Sequence, residues 1–224
     1  MLSVIVPTLN AAAALPATLA ALTEGADEIV IVDGGSTDDS AACATAAGAR
    51  VITAPRGRGG QLEAGVAAAQ GDWLLLLHAD SRLEPGWADA ASRFMAASPH
   101  RAAYFRFALD SAAPQARRLE RAVAWRCRVL GLPYGDQGLL LPRALLDAVG
   151  GVRPLQLMED VDLVRRLGRA RLVALTPAAT TSAARWERDG WTRRSARNLF
   201  CLALYFAGVP PARIARLYAG WRIP

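Results

Sequence analysis

The chain has 224 residues, of which 53% are hydrophobic and 21% charged, enough for one large α/β domain with its own core. Its formal net charge of +6 comes from arginine alone, because the sequence contains no lysine. A Walker-type phosphate loop requires a lysine, so that class of nucleotide-binding protein is excluded.

The positive charge is confined to one end of the chain. Residues 1–184 hold 18 arginines and 18 acidic residues, whereas residues 185–224 hold 8 arginines against Glu187 and Asp189. A neutral body with a basic tail favours a local anionic partner, such as phosphate or a lipid surface, and argues against nucleic acid as the partner.

Cysteine usage and hydropathy predict a cytoplasmic protein. Cys43, Cys127 and Cys201 are odd in number and far apart, which favours reduced thiols over disulfides or a zinc site. A first strand beginning at Leu2 leaves no room for a signal peptide. The apolar run 199–209 is too short to cross a bilayer, which needs about 20 residues.

The first half of the chain alternates between strand and helix patterns. This alternation predicts a mostly parallel central sheet with helices on both faces. The predicted strands cover residues 2–6, 28–32, 50–53 and 73–77, and the predicted helices cover 11–22, 36–47 and 61–70.

Polar side chains follow each of these strands. Ligands of parallel sheets bind beyond the carboxyl ends of the strands, so four such clusters predict one site at that edge. After the fourth strand, His78 and Asp80 lie two residues apart. Both would leave one face of the chain if the extended geometry persisted, and both could then reach one ion or diphosphate.

The second half of the chain is less regular. We predict one domain over residues 1–188, followed by a basic helical extension over 189–224. The predicted helices cover 85–97, 116–130, 143–149, 158–167, 191–206 and 212–221, and the predicted strands cover 102–109, 139–141 and 171–175.

Five motifs together resemble those of the family 2 glycosyltransferases, which have a GT-A fold. The chain is particularly similar to a short, single-domain bacterial subgroup, some members of which are labelled as arsenosugar-biosynthesis transferases. The motifs are SVIVPTLN at 3–10, IVDGGSTD at 31–38, LLHAD at 76–80, MEDVDL at 158–163 and ARW at 184–186.

The resemblance implies an inverting transfer from a nucleotide-diphosphate sugar, most plausibly a UDP-sugar, with Mn²⁺ or Mg²⁺. The acceptor is left open between a small molecule and a lipid-linked one. On the donor side the resemblance implies roles for Pro7, Thr8, Asn10, Asp33, Arg56, Gln61, His78, Asp80 and Arg185, of which Asp80 and His78 are the candidate metal ligands.

The resemblance also implies a catalytic acidic pair, in which Asp160 is the general base and Glu159 its neighbour. The implied acceptor-side residues are Asp136, Gln137 and Trp186. Each role has a structural alternative: the carboxylates of the pair would cap a helix, and an aspartate such as Asp33 would hold its own turn.

Three positions depart from the family pattern. His78 stands where the first aspartate of an Asp-x-Asp motif is usual, and imidazole is a softer ligand that tolerates Mn²⁺. Ala11 replaces a glutamate, which weakens or alters a donor contact. Ser182 replaces the glutamine of Gln-x-x-Arg-Trp, which argues against a processive polymerase.

Other functions and partners stay open at this point. A sugar nucleotidyltransferase on a similar fold would release pyrophosphate, and a non-catalytic nucleotide-sugar binding protein would bind UDP without turnover. Three roles stay open for the basic tail. It could form a helical hairpin docked on the sheet, attach the protein peripherally to the anionic inner face of the membrane, or form a homodimer contact.

Overall fold

The computed structural model describes residues 1–220, and it confirms the predicted α/β class. Eight strands form one sheet. They are β1 (Leu2–Thr8), β2 (Glu28–Asp33), β3 (Arg50–Thr53), β4 (Trp73–Leu76), β5 (Ser81–Leu83), β6 (Ala102–Leu109), β7 (Leu139–Pro142) and β8 (Leu172–Thr181).

Helices connect and cover these strands. They are α1 (Leu15–Leu22), α2 (Ser40–Ala46), α3 (Arg58–Ala68), α4 (Trp87–Ala97), α5 (Pro114–Leu130), α6 (Arg143–Ala148), α7 (Glu159–Leu167), α8 (Ala184–Asp189), α9 (Trp191–Phe206) and α10 (Pro211–Gly220), with short 3-10 helices at Gly135–Gln137 and Arg169–Arg171.

The strand order is β3-β2-β1-β4-β7-β6-β8-β5. The first four strands of this order are parallel, as the alternation of strand and helix predicts. β7 runs antiparallel to both β4 and β6. The carboxyl ends of β1, β2 and β4 therefore meet at one edge, and the loop before β7 reaches that edge as well.

Alternate residues of the central strands point to opposite faces of the sheet and contribute to two hydrophobic layers. Val4 and Leu75 belong to the layer beneath α1 and α4. Ile5 and Leu74 belong to the opposite layer, beneath α3 and α7. A sheet buried on both faces explains why these strands are continuous apolar runs, and it makes the sheet edge the natural place for polar chemistry.

Some predicted bounds were wrong for identifiable reasons. The first helix begins at Leu15 because the backbone amides of Ala11 and Ala12 donate to Ser40 and Asp38 near α2. The last strand continues to Thr181 because β6 and β5 both pair with it. Such long-range partners leave no local pattern.

The described part of the extension forms α9 and α10, and α8, which was not predicted, precedes them. α10 packs against α9, and buried Ile214 lies between exposed positions of α10. The predicted helix end at Trp221 lies outside the described residues, and the predicted boundary at residue 188 stays a prediction. No helix within residues 1–220 is long and apolar enough to cross a membrane.

Candidate active site

A cleft of about 210 Å³ opens at the carboxyl edge of the sheet. The predicted residues Asp80, Asp136 and Asp160 line it, together with Arg185 and Trp186. They come from the end of β4, the loop before β7, the start of α7 and α8. The sheet thus brings together five predicted site residues that lie up to 106 positions apart in the chain.

The ends of β1 and β2 form a hydrogen-bonded turn, and its residues Asn10 and Asp33 are not among those that line the cleft. Asp33 is 6% exposed, and its Oδ2 accepts hydrogen bonds from the backbone amides of Gly35 and Ser36, each at 3.0 Å. Asn10 has a left-handed φ of 49°, and its Oδ1 accepts from the amide of Thr37 at 2.8 Å. Both side chains hold the turn, as the structural alternative predicts.

Gln61 ties α3 to this turn. It is 4% exposed, and its Nε2 donates to the carbonyls of Thr8 at 2.9 Å and Val32 at 2.7 Å. Thr8 is buried, Pro7 is partly buried, and Arg56 is exposed in the loop before α3. The nucleotide-binding roles implied for these residues stay predictions.

Arg58, which the sequence left open between a contact with phosphate or ribose and a solvated side chain, is central to the cleft. It forms an ion pair with Glu159, whose side chain is 1% exposed. Burial raises the pKa of Glu159, an effect that Arg58 opposes and Asp160 adds to. Burial also works against the charge of Arg58, but the carboxylates of Glu159, Asp160 and Asp136 outweigh it and raise its pKa.

His78 contacts the same guanidinium group. Its Nε2 lies 2.7 Å from Nη1 of Arg58. Burial, and then the charges of Arg58 and Arg185, lower the pKa of His78 well below 6.5, so the ring is neutral. Because the guanidinium group can only donate, Nε2 of His78 accepts, and its lone pair is engaged.

Asp160 begins α7 with its carboxylate held in place. Oδ2 accepts from the amide of Gly135 at 2.9 Å, and Oδ1 accepts from the amide of Val161 at 2.8 Å. The next acidic residue, Asp162, forms an ion pair with Arg166 one turn later, at 2.8 Å. Asp160 is therefore the carboxylate of α7 that faces the cleft.

The loop before β7 places two predicted acceptor-side residues differently. Asp136 lines the cleft, and its Oδ1 is buried without a hydrogen-bond partner among the described residues. Burial raises the pKa of Asp136 to about 6. The positive charge of Arg126 opposes this shift, and the negative charge of Asp160 adds to it. Gln137 is 2% exposed, and its Nε2 donates to the Phe105 carbonyl inside the protein.

Asp80 and Arg185 face each other across the cleft mouth. Their closest oxygen and nitrogen atoms lie 4.0 Å apart, and their side chains are 26% and 66% exposed. Trp186 stacks on Trp191 with ring centroids 6.0 Å apart. The cleft mouth therefore combines an accessible carboxylate, an exposed cation and an aromatic surface.

Helix α9 supplies a cleft wall that the sequence did not reveal. Arg194, Asn198 and Cys201 line the cleft, and Tyr218 of α10 joins them. Their spacing of four and three residues marks one helix face, and that periodicity is the signal that could have found them. Arg194 also lies over the Trp186 ring, 5.2 Å from its centroid.

The residues present fit a divalent metal held jointly with a diphosphate. Within residues 1–220, no group of three or more His, Cys, Asp or Glu side chains is arranged to hold an ion alone. Asp80 nevertheless offers an accessible hard oxygen in the cleft. Mg²⁺ sites commonly use one or two carboxylates and complete their coordination with substrate phosphates.

Comparison with known sequences identifies relatives of the chain. Residues 3–154 match the sequence model described as glycosyl transferase family 2. The chain is 41% identical over 85 residues to an uncharacterized glycosyltransferase of Mycobacterium tuberculosis (strain ATCC 25618 / H37Rv), a match that covers 38% of each protein. It is 43% identical over 93 residues to a PGL/p-HBAD biosynthesis glycosyltransferase of Mycobacterium bovis (strain BCG / Pasteur 1173P2), which covers 37% of this chain and 36% of the relative.

Solved structures share the fold. Glucosyl-3-phosphoglycerate synthase from Mycobacterium tuberculosis, in complex with Mn²⁺, UDP and glucosyl-3-phosphoglycerate, superposes with a TM-score of 0.62 at 22% identity, over 94% of this chain and 81% of that one. A second mycobacterial protein gives a TM-score of 0.58 at 23% identity, over 81% and 65% of the two chains. At these identities the likeness shows the fold alone.

Proposed function

Because the chain belongs to glycosyl transferase family 2 and has its predicted GT-A fold, we propose that it transfers a sugar from a nucleotide-diphosphate sugar to an acceptor. The observation that carries the proposal is the convergence of Asp80 and Asp160 on one cleft, with Arg185 4.0 Å from Asp80. Such a cleft combines a metal-binding carboxylate, a cation for the leaving group and a base.

Asp80 is the proposed metal ligand, and the donor diphosphate would supply further ligands to the ion. A bound Mn²⁺ or Mg²⁺ ion supplies positive charge that stabilises the departing diphosphate. Arg185 adds a second cation on the same side of the cleft. In the described conformation His78 accepts from Arg58, so we propose that Asp80 carries the metal and that His78 becomes a ligand only if Arg58 turns away.

Asp160 is the proposed general base. The amide of Gly135 fixes its Oδ2, so the carboxylate is positioned before an acceptor arrives. It would remove the proton of the acceptor hydroxyl as that oxygen attacks the anomeric carbon. A base that serves direct displacement lies opposite the leaving group, and this geometry produces inversion. Glu159 supports it indirectly by holding Arg58.

The remaining predicted site residues are assigned to a donor side and an acceptor side as part of the same proposal. We propose that the turn built by Asn10 and Asp33 receives the nucleotide, with Pro7, Thr8, Arg56 and Gln61 around it. On the acceptor side, Asp136 and Trp186 line the cleft, while Gln137 shapes the loop from within.

Structural relatives crystallised with UDP-glucose and Mn²⁺ support a UDP-sugar donor and Mn²⁺ as the metal. One crystal structure of glucosyl-3-phosphoglycerate synthase contains Mn²⁺, UDP-glucose and phosphoglyceric acid. The identity of this chain's own sugar and acceptor does not follow from that likeness. The chain matches less than two fifths of the length of the curated relatives, so their activities come to it only as proposals.

Several finer predictions have no test in these findings. The cytoplasmic location, the homodimer, the arsenosugar-related subgroup and the choice between a small and a lipid-linked acceptor stay predictions. Family membership favours the glycosyltransferase over both alternatives that the sequence left open, a nucleotidyltransferase and a non-catalytic binding protein.

The proposal is tested in two stages. A thermal-shift screen of UDP-, GDP- and dTDP-sugars, each with and without Mn²⁺, should show a metal-dependent rise in melting temperature for one nucleotide class. Turnover of that donor should then release the nucleoside diphosphate, and NMR of the product should show an inverted anomeric centre. Release of pyrophosphate would establish the nucleotidyltransferase, and binding without any turnover would establish the binding protein.

A further inference from the structure

Helix α9 has two chemically different faces. Its inner face includes Arg194, Asn198 and Cys201, which line the cleft. Its outer face is exposed and apolar for three turns, with Leu199 64% and Phe206 50% exposed. We define this outer face by five exposed apolar residues of α9 and its C-cap: Ala196, Leu199, Ala203, Phe206 and Ala207.

The contacts of α9 with the rest of the protein leave much of its outer face exposed. A helix that covers a globular core normally buries its apolar stripe and turns polar side chains to water. α9 already contributes Leu202 and Tyr205 to a hydrophobic layer of the protein and buries Cys201. The outer face is a second apolar stripe, and contiguous exposed apolar surface of this kind marks an interaction site.

The charged residues of α9 and α10 are all arginines. Residues 190–220 contain no Asp or Glu. Exposed Arg193 lies on the same side of α9, one turn before the stripe begins. At the other end, the exposed Arg165 guanidinium lies 4.8 Å from the centroid of the Phe206 ring. Arg213 and Arg216 are exposed on α10, which packs against α9.

We propose that the outer face of α9, with the arginines around it, attaches the protein to an anionic lipid surface. An exposed apolar stripe bordered by cations fits the interface of an anionic bilayer, where the apolar side chains enter the acyl boundary and the arginines meet the head groups. A second copy of the chain fits less well, because a symmetric contact would bring the same arginines together. This attachment goes beyond the transferase reaction and does not depend on it.

The test is co-sedimentation of the full chain with phosphatidylcholine vesicles, with and without phosphatidylglycerol. The wild type should sediment with the anionic vesicles and stay in solution with the neutral ones. Leu199→Ser/Phe206→Ser should lower the partition coefficient at least about tenfold, because two large apolar side chains are lost. Arg193→Gln/Arg213→Gln should also lower it at least about tenfold, and added salt should weaken wild-type binding.

Matched control variants lie on α5, which also exposes apolar and basic side chains. Val129→Ser/Leu130→Ser and Arg118→Gln/Arg128→Gln should bind vesicles as the wild type does. Circular dichroism and melting temperature establish that each variant is folded. The arginine pair keeps the test decisive if the apolar pair misfolds.

Three results would overturn the attachment. The wild type could fail to sediment with anionic vesicles, or the α5 variants could lose as much binding as the α9 variants. Light scattering could instead show a dimer that Leu199→Ser/Phe206→Ser converts to a monomer, without any vesicle binding. That last result would assign the outer face of α9 to a second copy of the chain.

Discussion

The Nη1 atom of Arg58 lies 2.7 Å from Nε2 of His78, although the two residues come from different elements of the sheet edge. The same guanidinium group pairs with buried Glu159. Arg58 therefore connects the residue after β4 with the first residue of α7, and the geometry of the cleft depends on this connection.

Gly135 lets the loop before β7 approach His78. A Cβ at position 135 would lie 2.6 Å from Nε2 of His78, so Gly135→Ala should displace the ring and cost about 1–3 kcal/mol. In a His78→Ala background the same change should cost much less. Urea unfolding of the double-mutant cycle measures this coupling, and Gly60→Ala, whose added Cβ would meet its nearest atom at 4.0 Å, is the control. Additive costs would contradict the contact.

Removal of Arg58 should leave a buried carboxylate without its partner. Arg58→Gln should cost about 3–5 kcal/mol near neutral pH, whereas Arg106→Gln, which breaks an exposed pair with Glu84, should cost about 0–1 kcal/mol. The pKa of Glu159 is raised in the folded protein. Glu159 therefore favours the folded protein in acid, and this contribution to stability is lost as pH rises through the raised pKa. The cost of Arg58→Gln should therefore shrink in acid, as urea unfolding at several pH values would show. An equal cost at all pH values would contradict the burial of Glu159.

The strands and their carboxyl-edge clusters were predictable because apolar runs and turn residues are local signals. Asp80 could be predicted for this edge because it follows a parallel strand, whereas Asp136 and Asp160 were assigned to the site by the family resemblance. The partners of His78 and Glu159 could not be predicted, since Arg58 meets them through tertiary contacts. The inward orientation of Gln137 could not be predicted either, because its side-chain amide donates to the carbonyl of Phe105, which lies 32 residues away in the chain.

Asp136 should make stability depend on pH. Its pKa of about 6 lies above the ordinary 3.8, so the folded state takes up a proton more readily than the unfolded state. Its contribution to stability is present below about pH 4 and is lost as pH rises towards 6. Asp136→Asn should thus be more stable than the wild type at pH 8, by about 1–3 kcal/mol, and equally stable in acid. A difference that does not change with pH, in thermal unfolding, would contradict this.

Asp160 should affect turnover and leave donor binding intact. Asp160→Asn should lower kcat about 10²- to 10⁴-fold, because the amide cannot accept the acceptor's proton. UDP should bind this variant as it binds the wild type, and Asp147→Asn on α6, which changes an exposed aspartate, should leave both quantities unchanged. Steady-state kinetics and UDP titration separate the two effects. A parallel loss of UDP binding would assign Asp160 to the donor site instead.

Asp80 provides the most direct test of the proposed function. Calorimetric titration with UDP should show binding at least about tenfold tighter with Mn²⁺ than without it, in the wild type and in Asp72→Asn, whose side chain is 91% exposed before β4. Asp80→Asn should lose this gain while keeping its fold. An equal gain in Asp80→Asn, or no effect of Mn²⁺ on the wild type, would contradict a metal-assisted transferase centred on this cleft.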